Sequence, residues 1–75
     1  MEELLELLAD ILPKVDFENG SDLVDDGVLD SLDIVSIISE LSTHYDIEIP
    51  SDEITPENFN DAEAIYNLVE RLLEE

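Results

Sequence analysis

Apolar side chains recur at helical spacing from the start of the chain. At about 100° per residue, Leu4, Leu5, Leu7, Leu8, Ile11 and Leu12 share one arc of a wheel, and Glu2, Glu3, Glu6 and Asp10 fill the other. The pattern predicts an amphipathic first helix. Pro13 has no N–H to donate and crowds the preceding turn, so this helix is expected to end near Leu12. The period is then lost through "KVDFENGSDLVDDGVLD". There Gly20 and Gly27 are expected to supply turns, and Val15, Phe17, Leu23, Val24, Val28 and Leu29 to pin the segment onto the core. Loops of this length are uncommon in compact domains and are often functional.

Helical spacing returns after Asp30. That residue stands where an N-cap belongs, with Asp33 three positions on, and a second helix is predicted from about Ser31 to Tyr45. Ile34, Ile37, Ile38, Leu41 and Tyr45 cluster on its wheel as the buried stripe. Leu32 and Val35 do not join them. They lie on the outward arc with Ser36, Ser39, Ser42 and Thr43, beside the single serine of the first turn, Ser31.

After "DIEIP", Pro50 marks a break. Thr55-Pro56-Glu57 reads as an N-cap, a proline at the first helical position and an acid near the dipole, and predicts a short helical turn. Asn60 followed by Glu63 resembles a capping box opening a last helix, with Ile65, Leu68, Val69 and Leu72 on one face. The expected fold is therefore all-α: a four-helix bundle of three longer helices and one short, with a long loop between helices 1 and 2. A single domain across residues 1–75 is expected, since so short a chain supports one small core.

Composition narrows the function. The chain has 22 Asp and Glu against two Lys and Arg, a formal net charge of -20. That field disfavours nucleic acid and anionic membrane and favours encounter with basic protein surfaces. Disorder is the rival reading of so acidic a chain, and the 44% hydrophobic content set in periodic blocks argues against it. No apolar stretch approaches bilayer length and no basic leader precedes an apolar run, so a cytoplasmic monomer without membrane insertion is expected. Absence of cysteine removes disulfides, thiolate metal sites and any protein thiol nucleophile.

Catalysis by the chain itself is not expected. Ser31 would need a base, and His44, the single histidine, lies thirteen positions along the same helix, roughly 20 Å away along its axis. His44 is read as a surface residue able to pair with Glu40 one turn back. The acids Asp22, Asp26, Asp30 and Asp33 around Gly27 do not make a calcium loop: with Gly27 in the glycine position, Val24 falls at a ligand position and short Asp33 where a bidentate glutamate is needed. What remains is Ser31 in the first turn of a helix. A phosphate joined to it would face outward amides and the positive end of the dipole, with Leu32 and Val35 as an apolar contact beside it.

These residues resemble the acyl carrier proteins. The likeness covers nearly the whole chain and rests on "LVDDGVLDSLDIV", on "DIEIP" closing the second helix, on the acidic charge and on the four-helix pattern. The resemblance implies 4′-phosphopantetheine joined covalently to Ser31 by a separate transferase, with Asp30, Leu32, Asp33 and Val35 at the recognition positions. It also implies an acyl group held as a thioester for partner enzymes of fatty-acid, polyketide or related biosynthesis. The implied partners are a phosphopantetheinyl transferase, an acyl- or aminoacyl-activating ligase or synthase, and an acceptor enzyme. The working sulfur would belong to the cofactor, in keeping with a chain that has no cysteine. Two features depart from fatty-acid carriers. Ser36, Ser39, Ser42 and Thr43 stand where those carriers usually have glutamates, and "SDEITPENFN", with Phe59, is longer and more like D-alanyl carriers. Those carriers in turn often have Phe where this chain has Leu32. A D-alanyl or other aminoacyl cargo is thus one alternative. An acidic protein-interaction module without a prosthetic group is the other.

Overall fold

A computed structural model describes residues 2–74. Helix α1 spans Glu2–Ile11, α2 Ser31–Tyr45, α3 Pro56–Phe59 and α4 Ala62–Glu74, with a single 3₁₀ turn at Ser51–Glu53. The three longer helices and one short one match the pattern read from the sequence, and a long irregular segment joins α1 to α2.

Each boundary has a local cause. Past Ile11 one further helical bond forms, from the Leu12 N–H to the Leu8 carbonyl at 2.9 Å, before Pro13 ends the ladder. Helix α2 ends on Asp46 in the left-handed conformation, φ 54°, where its N–H and that of Ile47 both return to the Ser42 carbonyl. A short polar side chain tolerates this conformation better than most. Beyond it Ile47 is half-buried and Ile49 buried, with Glu48 outward between them. This extended step carries the chain from α2 to the 3₁₀ turn.

Two caps differ from expectation. Thr55 precedes α3 as anticipated, but its side chain makes no capping bond, and the short helix begins on Pro56 alone. At α4 the capping oxygen comes from Asp61, whose Oδ1 accepts the Ala64 N–H at 2.7 Å. Asn60 faces elsewhere, because the preceding connection supplies it with three partners. His44 also differs: its Nε2 lies 3.7 Å from a Glu3 carboxylate oxygen across the α1–α2 contact, so the nearest acid comes from another helix and is not Glu40.

The core consists of Leu4 and Leu8 from α1, Ile37 and Leu41 from α2, Phe59 from α3, and Ala62, Ile65, Leu68 and Val69 from α4, with Ile49 beside them. The α1–α2 connection completes it with Phe17, Leu23 and Leu29. Val15 and Val24 pack half-buried against the same core. Val28 does not. It is 48% exposed, because Gly27 at φ 78° turns the chain so that Leu29 takes the inward position. Gly20 answers a different demand: its N–H donates to the Asp16 carbonyl at 2.9 Å, and a Cβ there would collide with that carbonyl and with Leu23.

No polar or charged side chain is buried among the described residues, so the acids form the outer shell. The molecule measures 30 × 24 × 19 Å. At about 0.01 M salt the screening length is about 30 Å, so every carboxylate repels every other across the whole body. Raising NaCl from about 20 mM to about 300 mM should therefore raise the thermal midpoint by about 5 °C or more. Circular dichroism melts at the two salts test this; equal midpoints would show that self-repulsion is not a significant term.

Candidate functional site

The site begins with the capping of α2. Asp30 is extended, φ -101° and ψ -175°, and its Oδ1 accepts the Asp33 N–H at 2.9 Å. Asp33 answers by accepting the Asp30 N–H on Oδ2 at 3.3 Å. This reciprocal pair sets the first turn of the helix, so both carboxylates expected to serve recognition also have a structural task. One oxygen of each stays outside the pair.

Ser31 is the first residue of α2 and is exposed. The N–H groups of Ser31 and Leu32 lie within the first helical turn, which has no preceding carbonyl to bind, and the dipole's positive end falls there. Leu32 and Val35 are 76% and 61% exposed, the largest exposures among the described large hydrophobic residues. The outward arc read from the sequence is exposed at Leu32, Val35, Ser36, Ser39 and Thr43, whereas Ser42 is half-buried. Val28, three residues before Ser31, is half-exposed as well. An exposed hydroxyl with amides, dipole and apolar surface around it fits a bulky phosphodiester substituent, which needs room, favourable charge and no burial of the serine.

The connection before Ser31 is held by a residue whose role was not foreseen. Asn60 Oδ1 accepts the N–H groups of Val24 and Asp25 at 3.0 and 3.1 Å, and its Nδ2 donates to Asp25 Oδ2 at 3.2 Å. The Asn60 carbonyl accepts the Leu23 N–H at 2.9 Å, and Leu29 N–H in turn reaches the Leu23 carbonyl at 2.9 Å. One amide side chain thus ties the α3–α4 junction to the turn that leads into Asp30. Sequence spacing could suggest Asn60 only as a local cap, because its partners are 35 and 36 positions away.

Two clefts flank the site. One, of about 290 Å³, is lined by Leu12, Pro13, Lys14, Val15, Val28 and Asp33, and brings one of the chain's two basic residues beside the start of α2. The other is a groove of about 670 Å³ between α1 and α2, lined by Leu7, Asp10, Ile11, Val35, Ser36, Ser39 and Glu40. His44 is remote from Ser31, at the last turn of α2, where it stacks edge-on with Tyr45 at 4.8 Å between ring centres. Tyr45 sits among acids there, and partial burial followed by the Glu3 carboxylate raises its hydroxyl pKa above the ordinary tyrosine value. His44, at the opposite end of α2, is out of reach of Ser31.

Replacing Asn60 with Ala leaves two backbone N–H groups without their acceptor. The expected cost is about 2 kcal/mol in urea unfolding, with faster amide exchange concentrated at Leu23–Gly27. An unchanged midpoint would mean that the clamp contributes nothing.

Comparison with known proteins identifies the family of the chain. Residues 2–72 match the family described as phosphopantetheine attachment site. A D-alanyl carrier protein of Streptococcus equi subsp. zooepidemicus is 33% identical over 72 residues, covering 89% of this chain and 91% of its own. A D-alanyl carrier protein of Streptococcus mutans is 41% identical over 51 residues, 68% of this chain and 65% of its own. Aminoacyl carrier protein 1 of Bradyrhizobium diazoefficiens is 38% identical over 63 residues, 84% of this chain and 62% of its own. An interaction module without a prosthetic group does not account for these matches, whereas covalent attachment of 4′-phosphopantetheine follows from the family. The chain belongs to the phosphopantetheine carrier proteins.

Proposed function

We propose that this protein is a stand-alone, non-catalytic carrier that holds an aminoacyl group as a thioester on a 4′-phosphopantetheine arm joined to Ser31. The observation that carries the attachment site is the exposed Ser31 at the first position of α2, framed by exposed Leu32 and Val35. When bound, the arm supplies the thiol, and the chain supplies only its tether and its surroundings. That division suits a molecule with no cysteine.

The relatives bear on the cargo, since those described above are named for D-alanyl or aminoacyl groups. The outward face of α2 agrees with them in kind. Past Val35 it presents Ser36, Ser39 and Thr43, all exposed, in place of a continuous acidic row. Housekeeping fatty-acid synthesis is correspondingly the weaker reading. Partners in this scheme are a phosphopantetheinyl transferase, an amino-acid-activating ligase and an acceptor enzyme. Leu32 and Val35 provide the apolar contact, while the free oxygens of Asp30 and Asp33 steer basic surfaces toward it. The whole chain acts as one domain, a single core serving a single serine.

Intact-mass measurement tests the attachment. With coenzyme A, magnesium and a broad-specificity transferase, the protein should gain one phosphopantetheine, and Ser31→Ala should gain none; a gain that survives the substitution would refute the assignment. Cargo is tested by exposing the holo protein to D-alanine, ATP and a D-alanine-activating ligase, against an acyl-activating ligase with a fatty acid. An aminoacyl thioester is expected in the first and little product in the second. Val35→Asp should lower the rate of modification by about tenfold, roughly 1.4 kcal/mol, with helicity unchanged in circular dichroism. Loss of helicity would instead place Val35 in the core.

A further inference from the structure

We infer that Asn60 is a positioning residue for the modification of Ser31: it fixes the Leu23–Leu29 turn beside the first turn of α2, so that a transferase meets the serine with its surroundings already in place. The inference rests on the carrier reading above and deepens it by adding a residue far outside the Asp-Ser-Leu segment.

Three consecutive backbone N–H groups converge on Asn60. That of Leu23 donates to its main-chain carbonyl at 2.9 Å, and those of Val24 and Asp25 donate to its Oδ1 at 3.0 and 3.1 Å. Two donors on one side-chain atom identify that atom as the oxygen, and the amide nitrogen beside it donates to Asp25 Oδ2 at 3.2 Å. The turn's own bonds serve other donors. Within it the Asp26 N–H reaches the Asp22 carbonyl at 2.7 Å, that of Gly27 the Val24 carbonyl at 3.1 Å and that of Leu29 the Leu23 carbonyl at 2.9 Å. Asp22, at φ 54°, enters the turn in a left-handed conformation, which costs free energy and persists where the surroundings hold it. Asn60 is well placed to do the holding. Phe59 before it is wholly buried, and Asp61 after it caps α4 through the Ala64 N–H at 2.7 Å.

The turn meets the site at two places. Its last residue, Leu29, is buried and directly precedes the capping residue Asp30. Its exposed Val28 lines one cleft together with Asp33 of the first turn of α2. The orientation of the turn therefore decides what surface stands beside the start of the helix. Charge opposes that orientation: Asp22, Asp25, Asp26 and Asp30 fall within nine residues and repel one another. The Asp30–Asp33 pair secures the helix but not the chain that leads into it, and Asn60 secures that chain from the α3–α4 junction. Where the turn opens, fewer molecules are competent to dock. The KM for the carrier then rises in inverse proportion to the competent fraction, while the chemical step on a docked serine is unchanged. A residue that served stability alone would leave both constants of the folded protein as they are.

The test measures initial rates of transfer from coenzyme A to the full apo chain by a broad-specificity transferase with magnesium. Product is counted by intact mass over a range of carrier concentrations, at a temperature where circular dichroism shows each variant folded. Asn60→Ala should raise KM about fivefold with kcat within about twofold of the parent. Asn60→Asp keeps an oxygen for the two N–H groups, and exposed Asp25 can turn aside from it, so its KM should stay within about twofold of the parent. Val69→Ala removes buried volume seven residues into α4, about 10 Å along its axis, and should lower stability with KM unchanged. Should Asn60→Ala not fold, Asn60→Ser, whose oxygen falls one bond short, replaces it with the same expectation. A parental KM in the variant lacking the acceptor would overturn the assignment. So would an equal rise in Asn60→Asp or in Val69→Ala. A parent chain that gains no mass, or gains it away from Ser31, would overturn the carrier reading itself, so the two failures are distinct.

Discussion

The core is closed by side chains that the helices do not own. Helices α1, α2 and α4 bring Leu4, Leu8, Ile37, Leu41, Ile65 and Leu68 together, and the irregular connection adds Phe17, Leu23 and Leu29. Burial of these three is what turns a long loop, costly in conformational entropy, into an ordered wall of the bundle. Everything at the site depends on that. Leu29 is buried two residues before Ser31, so the serine starts its helix from a fixed point. The Asn60 clamp and the Asp30–Asp33 pair then refine a path that apolar burial has already chosen.

Charge works against this compact state and in favour of its use. With a formal charge of -20 on a body about 30 Å long, repulsion falls on every element, and few contacts offset it. Arg71 does so most directly, at 2.7 Å from a Glu53 carboxylate oxygen, where it holds the 3₁₀ turn against α4. Asn58 holds the same turn by donating to the Glu53 carbonyl at 2.7 Å. The segment after Pro50 is thus anchored by one cation and one amide, and Phe59 at its end is wholly buried. The segment packs around that aromatic anchor, and through Asn60 at its end it holds the turn at Leu23–Asp25 that leads toward Ser31.

Most of the architecture was legible because helical period and capping chemistry are local. Ser31–Tyr45 could be read to the residue, since Asp30 and Asp33 announce its start and the buried stripe runs without interruption to Tyr45. The exposure of Leu32 and Val35 followed from the same wheel. What escaped were decisions taken between distant segments. Asn60 was expected to cap α4, but two N–H groups of the connection compete for its oxygen, and neighbouring Asp61 can take over the cap. His44 approaches Glu3 rather than Glu40 because α1 lies against the last turn of α2. The groove itself needs both helices: Asp10 belongs to the polar arc of one and Glu40 to that of the other, and no spacing rule joins them.

The exposure of Leu32 and Val35 next to Ser31 in the helix follows from these same constraints. Leu32 and Val35 add nothing to the core and remain wet in the free protein, a modest cost in a small domain. A surface built only of carboxylates would attract any basic protein and discriminate poorly, because long-range charge mainly sets the rate of encounter. In the carrier reading proposed above, two exposed aliphatics beside Ser31 supply the short-range contact that charge cannot. Helix α2 is fixed at its start by the paired caps and along its length by Ile37 and Leu41, which sets the face on which Leu32 and Val35 stand. In that reading, a partner that matches them buries apolar surface beside the serine, specificity comes from what the helix leaves uncovered, and the acidic shell speeds the encounter.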